Sequence, residues 1–397
     1  MTAADVERLS PDDLAVDQQL AGLSGSVRFL LEITPLNADE ARHRFLSGEE
    51  KEPRFEYRDL SVDPDVAEAA LDRIDVGAVE DTTLGHLLRA KHREMKLQLD
   101  MLRTRGTDDF RQLSVELYGG VSPGLLERAQ DLLSRVEVPA VSQARLDAET
   151  FLKLAEKEIE AYREVDPDVG IRAEIRSDVS GVLCEGTALL ISEHAKVFRH
   201  RAEALLQHEV GTHLVTQVNG SAQPVKTMGT GLARYDETQE GLAVLAEIAV
   251  GGLTSFRLRQ LAARVVTAHS MLTGATFAEA HAELADAGVP VGTAFSTVMR
   301  VYRAGGFMKD AIYLRGLLEL LEHVRDGGSL DLFYLGKFSL EDLPLIEDLH
   351  KRGLTEPPCV SPRYLADPRA FARIREAAEA EDLTTLVNDP PPTDPTN

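Results

Sequence analysis

Residues 170–193 read GIRAEIRSDVSGVLCEGTALLISE, and residues 194–218 continue directly as HAKVFRHRAEALLQHEVGTHLVTQV. The first stretch alternates apolar and polar residues between Gly and Asp turn signals, which predicts two or three short strands. We expect these strands near 171–176, 180–184 and 187–192. The second stretch carries apolar residues at helical spacing. The sequence therefore predicts a small sheet that leads straight into a helix.

The end of that helix carries the pattern HExxxH, formed by His208, Glu209 and His213. It is similar to the HExxH signature, in which two histidines on one helix face bind zinc and the glutamate is the general base. Here the histidines are five residues apart, and in a regular helix they would point about 140° away from each other. A local π-turn, or a helix end at Gly211, would bring them to one ion.

A third ligand is expected, because catalytic zinc sites use three protein side chains and leave a fourth position for water. Glu240 lies in the apolar part of 229–249, GTGLARYDETQEGLAVLAEIA, where an unpaired carboxylate is costly to bury. Ligation of a cation would offset that cost, and the chain after His213 is long enough for a second helix to return antiparallel. Glu247 lies two turns further on the same face. It is expected either to support a ligating histidine or to form a salt bridge.

Helical patterns dominate on both sides of this central part, so the predicted fold class is α+β and mostly helical. We predict four regions: a flexible N-terminus (1–15), a helical region (16–165), a metal-site core with a helical C-terminal part (166–385) and a disordered Pro-rich tail (386–397). One helix is expected to begin at Asp81, Thr82 or Thr83 and to run to about Arg103. The basic residues at 89–105 are interpreted as a solvated face.

The composition excludes several classes of protein. The chain has 397 residues, with 43 Lys and Arg against 66 Asp and Glu, and a net charge of −23. This balance argues against a nucleic-acid partner and against docking on anionic lipid, since both need clustered basic residues. Two cysteines are too few for a disulfide framework, and the chain has neither a signal-peptide pattern nor an 18-residue apolar run. A cytoplasmic location is therefore expected.

The motifs together resemble a known family. HEVGTH at 208–213, GTGLARYDETQEGLA at 229–243 and VYRAGGFMKDAIYLRG at 301–316 are similar to the QEGLA-motif proteins described as modulators of flavohaemoglobin expression. The eukaryotic relatives of those proteins are the microtubule-associated tubulin tyrosine carboxypeptidases. The resemblance extends from about residue 20 to 385.

This resemblance implies a zinc metallopeptidase with one Zn²⁺ per chain, held by His208, His213 and Glu240, and with Glu209 as the catalytic base. It also implies a thermolysin-like (gluzincin-type) core with a small antiparallel sheet beside the metal helix. The implied reaction is removal of an aromatic residue, Tyr or Phe, from the C-terminus of a peptide or protein.

A carboxypeptidase also needs a cation for the terminal carboxylate of its substrate, and arginine matches that group best. The candidates within the family motifs are Arg234, Arg303, Lys309 and Arg315. We predict that Lys309 and Arg315 serve this role. Tyr302 or Tyr313 is expected to donate a hydrogen bond to the reacting oxyanion, with core packing as the alternative for either residue.

Two other functions are compatible with these residues. One is a non-catalytic, metal-binding regulatory protein, although a purely structural zinc needs no base such as Glu209 and usually has four protein ligands. The other is a zinc hydrolase of another amide substrate, including an endopeptidase. The net charge of −23 disfavours acidic tubulin tails unless a basic patch such as 89–105 faces the site. The substrate and the oligomeric state are therefore left open.

Overall fold

A computed structural model describes residues 7–142 and 144–391 of the chain. Helices dominate this part, and two small sheets lie near its middle, which agrees with a mostly helical α+β class. The thermolysin-like part of that prediction stays a prediction. Across the described residues there is no helix with the length and apolar character needed to cross a membrane.

Eight helices precede the main sheet in the described chain. They are α1 (Pro11–Ser26), α2 (Phe29–Glu32), α3 (Ala38–Ser47), α4 (Pro64–Leu71), α5 (Thr82–Arg103), α6 (Asp108–Tyr118), α7 (Pro123–Arg135) and α8 (Ala148–Arg163). Asp81 caps α5 by accepting a hydrogen bond from the Leu84 N–H at 2.8 Å. The helix predicted from 81 to 103 is therefore confirmed.

The chain is helical from Pro11, although residues 1–15 are predicted to be flexible. The Ser10 side chain caps α1 by accepting a hydrogen bond from the Asp13 N–H at 3.0 Å. The carboxylate of Asp13 is buried and accepts a hydrogen bond from the Glu80 N–H at 2.8 Å. The prediction is wrong for 11–15, because a cap and a contact distant in sequence hold this segment. Residues 1–6 lie outside the described part.

The predicted tail at 386–397 is also partly held. The Asn388 N–H donates to the Leu253 carbonyl at 2.7 Å, and Asp389 accepts from the Ser255 N–H at 2.9 Å. Residues 392–397 lie outside the described part of the chain. The end of the tail that the structure describes is thus attached to the start of the helix that begins at Ser255.

Ten α-helices follow the sheet within the residues that the structure describes. They are α9 (Ala202–His208), α10 (Val215–Ala222), α11 (Thr227–Thr230), α12 (Tyr235–Ala249), α13 (Ser255–Leu272), α14 (Phe277–Asp286), α15 (Val291–Tyr302), α16 (Ile312–Arg325), α17 (Leu343–Lys351) and α18 (Pro368–Glu379). A short 3₁₀ turn, Met308–Ala311, precedes α16. The main apolar core joins residues on both sides of the predicted division at 165/166, such as Phe110 of α6 and Leu245 of α12.

The sheet beside the metal helix is mixed rather than antiparallel. Strands β1 (Arg145–Leu146) and β5 (Val197–Phe198) form a two-stranded ladder, while β2 (Arg172–Arg176), β3 (Val182–Glu185) and β4 (Ala188–Ser192) form a sheet of order β2-β4-β3. β3 pairs with β4 antiparallel, but β2 pairs with β4 parallel. The chain reverses twice between β2 and β4, so the two strands run in the same direction. The buried β4 takes the central place.

α12 is the central helix, and a pair of glycines lets it approach α16 closely. The residues of α12 from Thr238 to Ala249 are all buried. A Cβ placed on Gly241 of α12 would lie 2.5 Å from the backbone of Gly316 in α16. A Cβ on Gly316 would overlap the Glu237 carbonyl in turn. The last residue of the 301–316 motif and the glycine of QEGLA therefore form one contact.

We expect Gly241→Ala to lower the free energy of unfolding by about 1–3 kcal/mol, because overpacking at a backbone contact forces the helices apart. Gly22→Ala is the matched control, since Gly22 lies in α1 with no atom within 4 Å of an added Cβ. That change should be neutral or raise stability by up to about 1 kcal/mol, because alanine favours helix. Urea denaturation of both variants measures the difference. Equal effects at the two positions would contradict the close contact.

Candidate metal centre

The two histidines of HExxxH lie at either end of a π-helical turn. α9 ends at His208, and a π-helical segment, Glu209–Leu214, continues it into α10. The Thr212 hydroxyl donates to the Gln207 carbonyl, five residues back, at 3.0 Å. In a π-turn the backbone bonds join residues five apart, so groups at this spacing come to the same face. Of the two distortions compatible with the sequence, the π-turn is the one observed.

Gly211 lies inside this turn, against the end of the Gln207 side chain. A Cβ at this position would collide with the side chain of Gln207, one turn earlier. Glycine therefore permits the local crowding that accompanies the extra residue. The rings of His208 and His213 consequently lie next to each other in an edge-to-face arrangement, with centres 5.1 Å apart and planes at 82°.

Glu240 of α12 completes a set of three potential ligand atoms. Its Oε2 lies 3.7 Å from His208 Nε2 and 3.6 Å from His213 Nε2. Ligand atoms of a tetrahedral zinc site, at about 2.0–2.1 Å from the ion, lie about 3.3 Å from each other. Glu240 Oε2 is buried without a hydrogen-bond partner among the described residues, whereas buried carboxylate oxygens are normally satisfied. The donor set and this unsatisfied oxygen fit a divalent cation such as zinc.

Lys309 holds the second oxygen of Glu240. This lysine is only 4% exposed, and its Nζ donates to Glu240 Oε1 at 2.8 Å and to Asp236 Oδ1 at 2.6 Å. Burial alone would raise the pKa of the Glu240 carboxyl, but Lys309 and the two histidines hold that pKa well below its usual value. Lys309 therefore orients Glu240 and keeps it ionised. These contacts argue against its predicted role as the cation for the substrate carboxylate.

Glu247 orients His208 from the other side. Its Oε1 lies 2.9 Å from Nδ1 of His208, and its carboxylate also pairs with Arg201 at 2.6 Å and Arg257 at 2.9 Å. Burial lowers the pKa of His208, but the neighbouring carboxylates of Glu240 and Glu247 raise it to about 9. A metal ion would bind the neutral imidazole, so its affinity for this site would fall with decreasing pH. Both alternatives for Glu247, support of a histidine and a salt bridge, occur together.

Glu209 is half-buried and lies next to this set without being part of it. Its Oε2 is 3.3 Å from the Sγ of Cys184 on β3. Burial and the neighbouring Glu209 raise the pKa of the Cys184 thiol well above its usual value, so the thiol stays protonated and donates to the carboxylate. Cys184 is one of the two cysteines of the chain, which are too few for a disulfide framework. The structure brings it into contact with the predicted base.

The two predicted tyrosines lie in different surroundings. The ring of Tyr313 stacks on that of His208, with centres 6.5 Å apart and planes at 11°, so it borders the candidate metal centre. Tyr302 instead donates its hydroxyl to the Ala275 carbonyl at 2.7 Å and packs edge-on against Phe277. The contacts of Tyr302 correspond to the packing alternative.

Arg315 is engaged by protein groups rather than open to a ligand. Its guanidinium pairs with the Glu237 carboxylate and donates to the carbonyls of Tyr118 and Gly120. Arg234 is exposed and pairs with Glu341. Arg315 therefore joins α16 to α12 and to the end of α6. Its predicted role at the substrate carboxylate conflicts with these contacts.

The basic segment at 89–105 does not form a free positive patch. Lys91 is buried and pairs with Glu94 at 2.8 Å, so the interpretation as a solvated face is wrong for this residue. Lys96 and Arg103 both pair with Glu68 of α4, at 2.9 and 2.5 Å. Three of the six Lys and Arg side chains at 89–105 are therefore compensated, and the other three have no ion pair among the described residues.

The sequence interpretation missed Arg257, which pairs with Glu247, and Arg264, which also lies on α13. A usable signal was present, since both interrupt the apolar pattern of SFRLRQLAARVVTAHSML and are nevertheless buried. The argument that singled out Glu240, that a buried charge needs a partner, applies equally to them.

The chain is similar in sequence to known proteins of one family. A family model described as microtubule-associated tyrosine carboxypeptidase matches residues 43–381. Microtubule-associated tyrosine carboxypeptidase 1 of Mus musculus is 30% identical over 179 residues, which are 42% of this chain and 36% of the mouse protein. The Homo sapiens protein of the same name is 29% identical over 189 residues, 45% of this chain and 38% of that protein.

These matches span little more than a third of the length of the curated relatives. Among solved structures, the crystal structure of a protein from Colwellia psychrerythraea described as a lipoprotein aligns with a TM-score of 0.44 and 14% identity, over 72% of this chain and 66% of the other. The family model, by contrast, covers most of the present chain, including HExxxH, QEGLA and the 301–316 motif. With its sequence matched to that extent, this chain belongs to the microtubule-associated tyrosine carboxypeptidase family.

Proposed function

We propose that this protein is a zinc-dependent metallocarboxypeptidase that removes a C-terminal aromatic residue, Tyr or Phe, from a peptide or protein. The observation that carries the proposal is the convergence of His208, His213 and Glu240, with the carboxylate of Glu209 next to His208 in the chain and outside this set. Three protein ligands with an adjacent base are typical of catalytic zinc sites rather than structural ones. Membership of a family named for tyrosine carboxypeptidases supports the reaction type.

The side chains of this protein have separate tasks in such a reaction. When bound, zinc supplies a Lewis acid and lowers the pKa of a water molecule to about 7. Glu209 accepts the proton of the attacking water and delivers it to the leaving amine. Because the Cys184 thiol donates to Glu209 Oε2, the Oε1 atom is the oxygen available for that proton. Tyr313, beside His208, is the candidate hydrogen-bond donor to the oxyanion.

The supporting side chains keep the site in one arrangement. Glu247 and Lys309 hold His208 and Glu240 through hydrogen bonds of 2.9 and 2.8 Å, so each orientation is set before any substrate arrives. Partners of this kind commonly change metal affinity or activity by about 10- to 100-fold when they are mutated. The site is thus held by the packing of α9, α12 and the turn before α16.

The proposal is tested with purified full-length protein and synthetic peptides that end in Tyr, Phe or Ala. We expect about one zinc per chain by elemental analysis, release of free Tyr or Phe by mass spectrometry, and little release from peptides ending in an amide. A protein that retains no zinc, or that releases no terminal residue from any peptide, would reject the proposal. Cuts inside the peptides would instead indicate an endopeptidase.

A further inference from the structure

Three arginines surround a single buried aspartate next to the candidate metal centre. Arg264 comes from α13, Arg300 from α15 and Arg303 from the turn after α15, while Asp310 lies in the 3₁₀ turn before α16. Asp310 is fully buried, and its Oδ1 lies 2.7 Å from Arg300 Nε and 3.3 Å from Arg264 Nε. We call these four residues the arginine cluster. Three positive charges around one negative charge leave an excess of two.

The donors of the arginine cluster are incompletely used. Arg264 and Arg303 are 7% and 8% exposed. Nε and Nη1 of Arg264 and Nε of Arg303 are buried without a hydrogen-bond partner among the described residues. Arg264 Nε is close to Asp310 but is not aligned for a hydrogen bond. Burial and the neighbouring arginine lower the pKa of Arg264 and of Arg303 to about 10.

Unpaired buried charge is costly, and a structural salt-bridge network would normally balance it. A cluster with surplus charge and free N–H groups is instead suited to an anionic ligand. Guanidinium groups match a carboxylate in planar geometry and in charge. Arg300, whose side chain is 33% exposed, connects the cluster to solvent. The cluster is therefore not sealed inside the core.

The arginine cluster lies one aromatic ring away from the metal ligands. The Arg264 guanidinium is 4.4 Å from the centre of the Tyr313 ring, and that ring lies 6.5 Å from the His208 ring. In a carboxypeptidase substrate the terminal carboxylate lies one residue, at most about 3.6 Å, beyond the scissile carbonyl. Its binding group must consequently lie close to the ligands, and the two ring distances place the Arg264 guanidinium at most about 11 Å from the centre of the His208 ring.

We propose that Arg264, Arg300 and Arg303 bind the α-carboxylate of the C-terminal residue of the substrate, an inference that rests on the proposed function. The arginine cluster thus takes the role that was predicted for Lys309 and Arg315. Lys309 already donates to Glu240 and Asp236, and Arg315 already donates to Glu237. The arginine cluster has free donors, whereas theirs are occupied.

The test measures kcat and KM for two peptides that differ only at the last group, a free carboxylate or an amide. For Arg264→Gln and Arg303→Gln we expect KM for the free acid to rise about 10- to 100-fold, as for loss of a charged hydrogen bond. The amide peptide should be unaffected, so the preference for the free acid falls by the same factor. Arg303→Lys keeps the positive charge and should retain part of the preference for the free acid.

Arg111→Gln is the matched control. Arg111, on α6, packs against Gly306, which lies in the same loop as Arg303, but its guanidinium pairs with Asp108 at the surface. It should keep the full preference. Calorimetric binding of the same two peptides to zinc-loaded Glu209→Gln protein, with and without Arg300→Gln, gives a readout independent of turnover and uses the more exposed arginine. Removing this arginine should weaken binding of the acid peptide alone.

Two outcomes are separable. If the wild-type protein releases terminal residues while all three arginine variants, shown to be folded by circular dichroism, keep the acid preference, the inference is overturned and the proposed function stands. Loss of the preference in Lys337→Met instead would also overturn it, since Lys337 is a half-buried cation that interacts electrostatically with Glu240. If the wild-type protein cleaves no peptide, the proposed function itself fails.

Discussion

Glu209→Gln is expected to lower kcat for peptide cleavage by about 10²–10⁴-fold, the usual contribution of a general base, while one zinc stays bound per chain. The amide is close in size to the carboxylate and can still accept from the Cys184 thiol, but it cannot take a proton from water. The ligand atoms of His208, His213 and Glu240 are untouched by the change. Activity and metal content are therefore expected to separate.

The matched control is Glu203→Gln, one turn and a half earlier on the same helix. Glu203 is exposed and accepts a hydrogen bond from Gln207 at 3.0 Å, so its loss should leave kcat within about twofold of wild type. Steady-state kinetics and elemental analysis on the same preparations measure kcat and the zinc content of each variant. Wild-type turnover by Glu209→Gln would show that another group is the base, and joint loss of zinc would show that Glu209 holds the metal site together.

Glu240→Gln is expected to weaken zinc binding by more than about 100-fold and to remove activity with it. Loss of an outer partner already costs 10- to 100-fold, and this change removes the negative charge of a ligand itself. It also leaves Asp236 to balance Lys309, so the net negative charge of this group beside the ion is lost. Competition with a fluorescent zinc chelator measures the affinity directly.

Glu237→Gln is the control, since Glu237 lies three residues earlier in α12 and pairs with Arg315 instead of the histidines. We expect zinc affinity within about threefold of wild type for this variant, with at most a small loss of stability from the half-buried ion pair. Equal affinities of Glu240→Gln and the wild-type protein would mean that the ion is held elsewhere. The metal centre described here would then be rejected.

Much of the candidate site follows from neighbouring residues in the chain. The HExxxH spacing, Gly211 within it and the acidic Glu240 in an apolar run predict the same three groups that converge in the structure. Helix boundaries such as Asp81 before α5 follow from capping. The strand pairing within the sheet was less predictable. Strand positions follow from alternation, but the parallel pairing of β2 with β4 depends on which edge of β4 each strand reaches.

The partners of the charged side chains could not be predicted in the same way. Lys309 and Arg315 stand in a motif with the composition of a substrate site, yet α12 packs against them and supplies Asp236, Glu240 and Glu237 as acceptors. The surplus of the arginine cluster arises because three separate segments meet around Asp310.

Periodicity, caps and motif spacing are local properties, so the amino-acid order alone was sufficient to predict most helices and the three side chains that converge. The choice of a π-turn, the mixed sheet and the pairing of each buried charge arise from contacts between residues distant in sequence. The free energy of a buried charge depends on which neighbour comes within about 3 Å, and packing of the whole chain selects that neighbour.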